Sequence, residues 1–90
     1  MKKDKRKISL KNSLNLMIYD MLSNADLYFD KRLVLNSEGR KLLAKISKTI
    51  LVLYPELKPL ITKIRSDPKY EYIIELASKI REMASAQDNA

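Results

Sequence analysis

The stretch that decides the fold is residues 36–65, NSEGRKLLAKISKTILVLYPELKPLITKIR. At 100° per residue, the apolar side chains of its first half share one side of a helix. They are Leu42, Leu43, Ile46, Ile50, Leu53 and Tyr54. The opposite side carries a row of lysines at one-turn spacing, Lys41, Lys45 and Lys48, flanked by Arg40 and Ala44. The pattern predicts an amphipathic helix whose outer face is positively charged.

The ends of this helix are marked by residues that start or stop helices. Asn36 or Ser37 is suited to cap the first turn of this helix. Gly39 lowers the stability of a helix, but in the first turn this loss is tolerable. Pro55 and Pro59 lack an amide N–H and disfavour helix in the residue before them, so the helix should end near Tyr54. Pro59 is then expected to begin a short third helix that runs to about Arg65.

The sequence predicts one helix before this stretch and one after it. The first helix starts near Ser9 or Ser13, and its buried face reaches Tyr28. Further apolar residues widen this face, so the helix is either mostly enclosed or also faces a partner. Leu33–Leu35 is expected to be a short extended piece. The last helix has Asp67 as N-cap and Pro68 at its first position, and runs to about Ala84. The apolar face of the first helix is formed by Leu10, Leu14, Met17, Ile18, Met21, Ala25 and Tyr28, and the additions are Leu16, Tyr19, Leu22 and Phe29.

Length and composition favour a single all-α domain. Ninety residues with 46% hydrophobic side chains suffice for one small core, and one Gly with three Pro argues against a turn-rich β fold. We therefore predict a small four-helix bundle-like domain over residues 8–85, with three main helices and one short proline-initiated helix. Residues 1–7 are expected to form a flexible basic arm, and residues 86–90 a disordered tail.

Several function classes are disfavoured by what the sequence lacks. With no Cys and no His, it has no thiolate ligand or nucleophile and no side chain that normally titrates near neutral pH. We expect neither an enzyme nor a bound cofactor or metal. Asp26 and Asp30 stand four residues apart, but such pairs are usually solvated surface. No apolar run approaches the length of a membrane span or a signal peptide, so a cytoplasmic protein is expected.

Positive charge is concentrated in two segments. The net charge is +7, and residues 40–65 contain seven basic residues and one acidic residue. Residues 1–7 contain five basic residues and one acidic residue, whereas residues 8–39 and 66–90 are slightly acidic. Lys41, Lys45 and Lys48 have no carboxylate four residues away among them. This asymmetry indicates an anionic partner.

A phosphate backbone is the partner that this pattern favours most. We predict an accessory protein that binds DNA or RNA largely without sequence specificity, for example as a subunit of a polymerase, with a log–log salt slope of about −4 to −7. Tyr54, Tyr70 and Tyr72 are expected to be core residues, although stacking on bases is an alternative. The residues predicted to bind nucleic acid are Lys2, Lys3, Lys5, Arg6, Lys7, Arg40, Lys41, Lys45, Lys48, Lys58, Lys63 and Arg65.

Two alternatives remain open. The first is a protein-interaction module in which the first helix forms a homodimer seam or accepts a partner helix, and the lysines meet an acidic protein. In size and class such a basic bundle resembles the bacteriocin immunity proteins, although no motif of that family is matched residue by residue. The second is attraction of the arm and the lysine row to anionic lipid at a membrane surface, without stable insertion.

Overall fold

The computed structural model describes the backbone of residues 5–88 and the side chains of residues 8–86. Within these residues the chain forms α-helices, one 3₁₀ turn and two isolated β-bridges, so the all-α prediction is confirmed. The helices are α1 (Lys5–Ser23), α2 (Ala25–Tyr28), α3 (Ser37–Leu53), α4 (Lys58–Ser66) and α5 (Tyr70–Asp88), with the 3₁₀ turn at Pro55–Leu57 between α3 and α4.

The predicted first helix is two elements, because the helix is interrupted at Asn24. The Asn24 backbone leaves helical geometry, with φ −116° and ψ 46°. Its side-chain amide donates to Asp20 Oδ1 at 2.7 Å, and the Tyr28 hydroxyl donates to Asp20 Oδ2 at 2.6 Å. Polar side chains that bond locally in this way compete with helix continuation.

Both terminal helices extend further than predicted. Helix α1 begins at Lys5 instead of Ser9 or Ser13, and α5 continues to Asp88 beyond Ala84. Lysine and arginine are good helix formers, so nothing in residues 5–7 stops a helix. Three cations assigned to a flexible arm, Lys5, Arg6 and Lys7, therefore lie on the first turn of α1, although their side chains are outside the described residues. Lys2 and Lys3 lie wholly outside them, as do residues 89 and 90 of the predicted tail.

The connection between α2 and α3 pairs with the start of α5. Val34 forms an isolated antiparallel bridge with Lys69, supported by hydrogen bonds from Leu35 N to Pro68 O (3.0 Å) and from Tyr70 N to Leu33 O (2.8 Å). The predicted extended piece is confirmed for Val34 and Leu35, whereas Leu33 lies in the left-handed region with φ 61° and ends the preceding turn. The predicted cap of the last helix is wrong: because Lys69 pairs with Val34 and the Pro68 carbonyl accepts from Leu35 N, α5 begins at Tyr70 and Pro68 precedes it.

The start of α3 follows the predicted cap. The Asn36 side chain accepts a hydrogen bond from Gly39 N at 2.9 Å. Gly39 is more than a tolerated cost, because a Cβ at this position would overlap the carbonyl oxygen of Tyr28 and approach Leu35 Cδ2 to 2.7 Å. The absence of a side chain here allows α3 to pack against the end of α2.

The core is centred on α3, which packs against α1, α2 and α4, while α4 packs against α5. The first helix is not enclosed as expected: Leu16 and Tyr19 are 68% and 71% exposed. Its buried face is narrower and faces α3. The buried apolar residues are Leu14, Met21, Phe29, Leu35, Leu43, Ile46, Ile50, Tyr54, Leu57, Ile61, Ile64, Ile73, Leu76 and Ile80.

Candidate nucleic-acid interface

Three lysines form the outer face of α3. Lys41, Lys45 and Lys48 are all exposed, on the side opposite the buried residues Leu43 and Ile50. We call these three residues the lysine ridge. At 1.5 Å per residue the ridge rises about 10 Å along the helix axis. The same row ends in an apolar residue, Val52, which is 60% exposed.

The ridge has one acidic neighbour that the i,i+4 argument overlooked. Lys41 Nζ lies 3.2 Å from Glu38 Oε2, one turn earlier on α3, and both side chains are largely exposed. An exposed pair of this kind contributes about 0.2–1 kcal/mol and is easily exchanged for another partner. Lys45 and Lys48 have no ion pair with any side chain that the structure describes.

Two predicted cations from different helices meet beside the ridge. Arg40 of α3 and Arg65 of α4 line the same cavity of about 130 Å³, together with Leu43, Ala44 and Pro68. Helical geometry places Arg40 and Ala44 on the flank of α3, between its buried side and the lysine ridge. Neither arginine forms an ion pair with a described side chain. The cavity therefore adds two guanidinium groups to the cationic surface.

The other two predicted cations of α4 take different directions. Lys58 and Arg65 are seven residues apart, so they share one face of α4 two turns apart. Lys63 instead faces α5: its Nζ lies 4.2 Å from the centre of the Tyr72 ring and 3.7 Å from Glu75 Oε1. Lys63 thus contributes to the contact between α4 and α5, and we do not include it in the interface.

The tyrosines considered for stacking on bases are engaged in packing. Tyr54 is 2% exposed, and Tyr70 packs edge-on against Phe29 with ring centres 5.2 Å apart. Tyr72 lies under Lys63. The preferred expectation, core packing, is correct for Tyr54, and no tyrosine is added to the interface.

The perturbed titratable groups belong to the scaffold. The hydrogen bond from the Tyr28 hydroxyl to Asp20 raises the pKa of Tyr28. The carboxylate of Asp67 raises the pKa of Lys69, whose Nζ it approaches to 3.4 Å. The first contact joins α2 to α1, the second lies in the segment before α5, and neither involves a residue of the lysine ridge.

Asp30, which was considered as half of a divalent-ion pair with Asp26, has a structural role. Its Oδ1 accepts hydrogen bonds from Arg32 N at 2.8 Å and Val34 N at 3.1 Å, which hold the turn before Leu35. In the part of the chain that the structure describes, no three acidic residues gather closely enough to hold a metal ion.

A second surface lies on α1, where the sequence left open whether the additional apolar residues are enclosed or face a partner. We call Asn12, Asn15, Leu16, Tyr19 and Ser23 the α1 outer face; they point away from α3 and include no charged residue. Beside this face, a groove of about 560 Å³ separates α1 from α5. The sequence signal was present, since these positions lie opposite Leu14. The groove is lined by Asn15, Ile18, Tyr19, Leu22, Ala77, Ile80, Arg81, Ala84 and Ser85.

Comparison with known proteins found no relative of this chain. No protein-family model, no curated protein and no solved structure matches the chain. Among the described helices, none combines the length and apolar character needed to cross a membrane. The function is therefore argued from the surface itself.

Proposed function

We propose that this protein binds nucleic acid through the phosphate backbone, with the outer side of α3 as the contact surface. The observation that carries the proposal is the exposure of Lys45 and Lys48, without ion pairs among the described side chains, beside two further cations at the Arg40–Arg65 cavity. Phosphates are the most abundant partners for such a surface, and their contacts release counterions.

The composition of the lysine ridge argues for binding without sequence preference. Base edges are read by bidentate Arg, Asn and Gln side chains or by acidic acceptors, placed on an element that enters a groove. The ridge consists of lysines, which act as point charges and suit phosphates. A chain of this size would act as an accessory subunit that holds nucleic acid for a larger complex.

Charge reversal on the ridge tests this proposal. The variant Lys41→Glu, Lys45→Glu and Lys48→Glu should bind a labelled DNA or RNA duplex about 100-fold more weakly near 0.1 M salt, because three phosphate contacts become repulsive. Fluorescence anisotropy across a salt series should also show the magnitude of the log–log slope falling by about 2.7, which is about 0.9 for each of the three lost phosphate contacts.

A charge-matched control separates a local surface from overall charge. Lys31, Arg32 and Lys79 are exposed and lack ion pairs with described side chains, so reversing all three changes the net charge by the same amount. This control should keep most of the affinity. Equal losses in both variants, or no binding by the unmodified protein at low salt, would refute the proposed interface.

The α1 outer face supports a second candidate function, self-association. Two copies of a chain with net charge +7 repel each other, and an uncharged face with exposed Leu16 and Tyr19 is where that repulsion is smallest. The occupant that we propose for this face and the adjacent groove is a second copy of the chain. Such a dimer would leave both lysine ridges exposed, since α1 packs on the opposite side of α3.

A further inference from the structure

The cavity between α3 and α4 is lined by two arginines and three uncharged residues. Leu43 and Pro68 are buried, Arg40 and Arg65 are exposed, and Ala44 completes the lining. No carboxylate is present among its lining residues. Two like charges are thus brought to one cavity by the packing of two helices, with no anionic side chain from the described residues between them.

Arg40 is oriented by a backbone contact. Its Nε donates to the carbonyl oxygen of Leu35 at 3.4 Å, which uses one edge of the guanidinium and leaves the two terminal nitrogens with four N–H groups. Leu35 is itself buried and hydrogen-bonded to Pro68, so the acceptor belongs to a fixed part of the fold. This contact directs the Nε edge of the Arg40 guanidinium toward the backbone of Leu35.

The size and donors of the cavity suit a phosphate group. A volume of about 130 Å³ corresponds to about four water molecules at the ~30 Å³ that each occupies in the liquid. Guanidinium groups bind phosphate oxygens with paired N–H donors, and an anion between two of them also removes their mutual repulsion. A lysine pair would give the same charge without this geometry.

We propose that Arg40 and Arg65 form a clamp for a single phosphate group of a bound nucleic-acid strand. The clamp rests on the proposed function and extends it, because the cavity lies on the flank of α3 directly beside the lysine ridge. It fixes the position of one phosphate, while the lysines attract the neighbouring phosphates as mobile point charges. The strand then follows α3 in one register relative to the protein.

Conservative substitution separates a clamp from simple charge. The variant Arg40→Lys with Arg65→Lys keeps the net charge but removes the paired donors, so affinity for the duplex should fall about tenfold or more with the salt slope unchanged. The control Lys45→Arg with Lys48→Arg should remain within about twofold of the unmodified protein. Affinity within twofold for the arginine-to-lysine variant would overturn the clamp, even if the charge-reversed ridge variant loses binding.

A measurement without nucleic acid keeps the clamp testable if the proposed function fails. Inorganic phosphate is titrated into protein labelled with nitrogen-15 while the Nε–H signals of the arginines are recorded. The signals of Arg40 and Arg65 should shift at lower phosphate concentrations than those of Arg32 and Arg81, which are exposed elsewhere. Selective shifts without nucleic-acid binding would support an anion site and refute the proposed function, whereas uniform shifts would refute the clamp.

Discussion

Leu33 holds a backbone conformation that glycine usually occupies. Its φ is 61°, the left-handed region, and its side chain is 54% exposed. The residue ends a tight turn in which Leu33 N donates to Asp30 O and Asp30 N donates to Val34 O. Hairpin turns of this length normally place glycine at the left-handed position, because a Cβ is strained there.

The variant Leu33→Gly is therefore expected to be more stable than Leu33→Ala, by about 1 kcal/mol in the free energy of unfolding. Both variants remove the leucine side chain, but alanine keeps the strained Cβ. Urea unfolding followed by circular dichroism measures the difference. Equal or lower stability of Leu33→Gly would contradict this expectation, because the unfolded-state entropy of glycine would then match or outweigh the relief of backbone strain.

At the scale of helices, the sequence patterns succeeded where local chemistry decides the structure. The Asn36 cap and the short helix at Pro59 were predicted because a side-chain acceptor and a missing N–H act within a few residues. The predicted start of α5 was wrong because Leu33 and Leu35 form backbone hydrogen bonds with residues 68–70, which are distant in the sequence. No local signal at Asp67-Pro68 distinguishes a helix cap from a segment that pairs with another part of the chain far away in the sequence.

The candidate interface shows the same division. Exposure of Lys41, Lys45 and Lys48 follows from helical periodicity and was predicted. That Arg40 and Arg65 line the same cavity could not be predicted, because this depends on how α4 packs against α3. The direction of Lys63 likewise depends on α5, which supplies both the Tyr72 ring and the Glu75 carboxylate.

Lys63 is expected to act on helix packing and not on binding. Replacing Lys63 by Met keeps the aliphatic stem but removes the charge over Tyr72, and should lower the free energy of unfolding by about 0.5–1 kcal/mol. The affinity for nucleic acid should fall much less than in Lys45→Met, which removes the same charge from the ridge. Thermal unfolding and anisotropy measure the two effects, and a larger binding loss at Lys63 would return this residue to the interface.

At the scale of the whole molecule, we expect the chain to dimerise through the α1 outer face. Sedimentation at high micromolar concentration should show a dimer for the unmodified protein. The variant Leu16→Glu with Tyr19→Glu should be monomeric, because it places like charges in the interface.

Leu51→Glu with Val52→Glu is the matched control, since it adds the same two charges at exposed apolar positions on α3. It should leave the dimer intact. A monomer for the unmodified protein, or dissociation of both variants alike, would contradict self-association through α1.

The hydrogen bonds between residues 33–35 and 68–70 have a mechanical consequence for the cationic surface. They fasten the two ends of the segment containing α3 and α4 to each other, so this segment is a closed loop within the fold. A force applied to either terminus would act on these hydrogen bonds before it acts on the packing of α3 against α4. The distance between the lysine ridge and the arginine cavity is therefore unchanged when the ends of the chain are pulled or unfold locally.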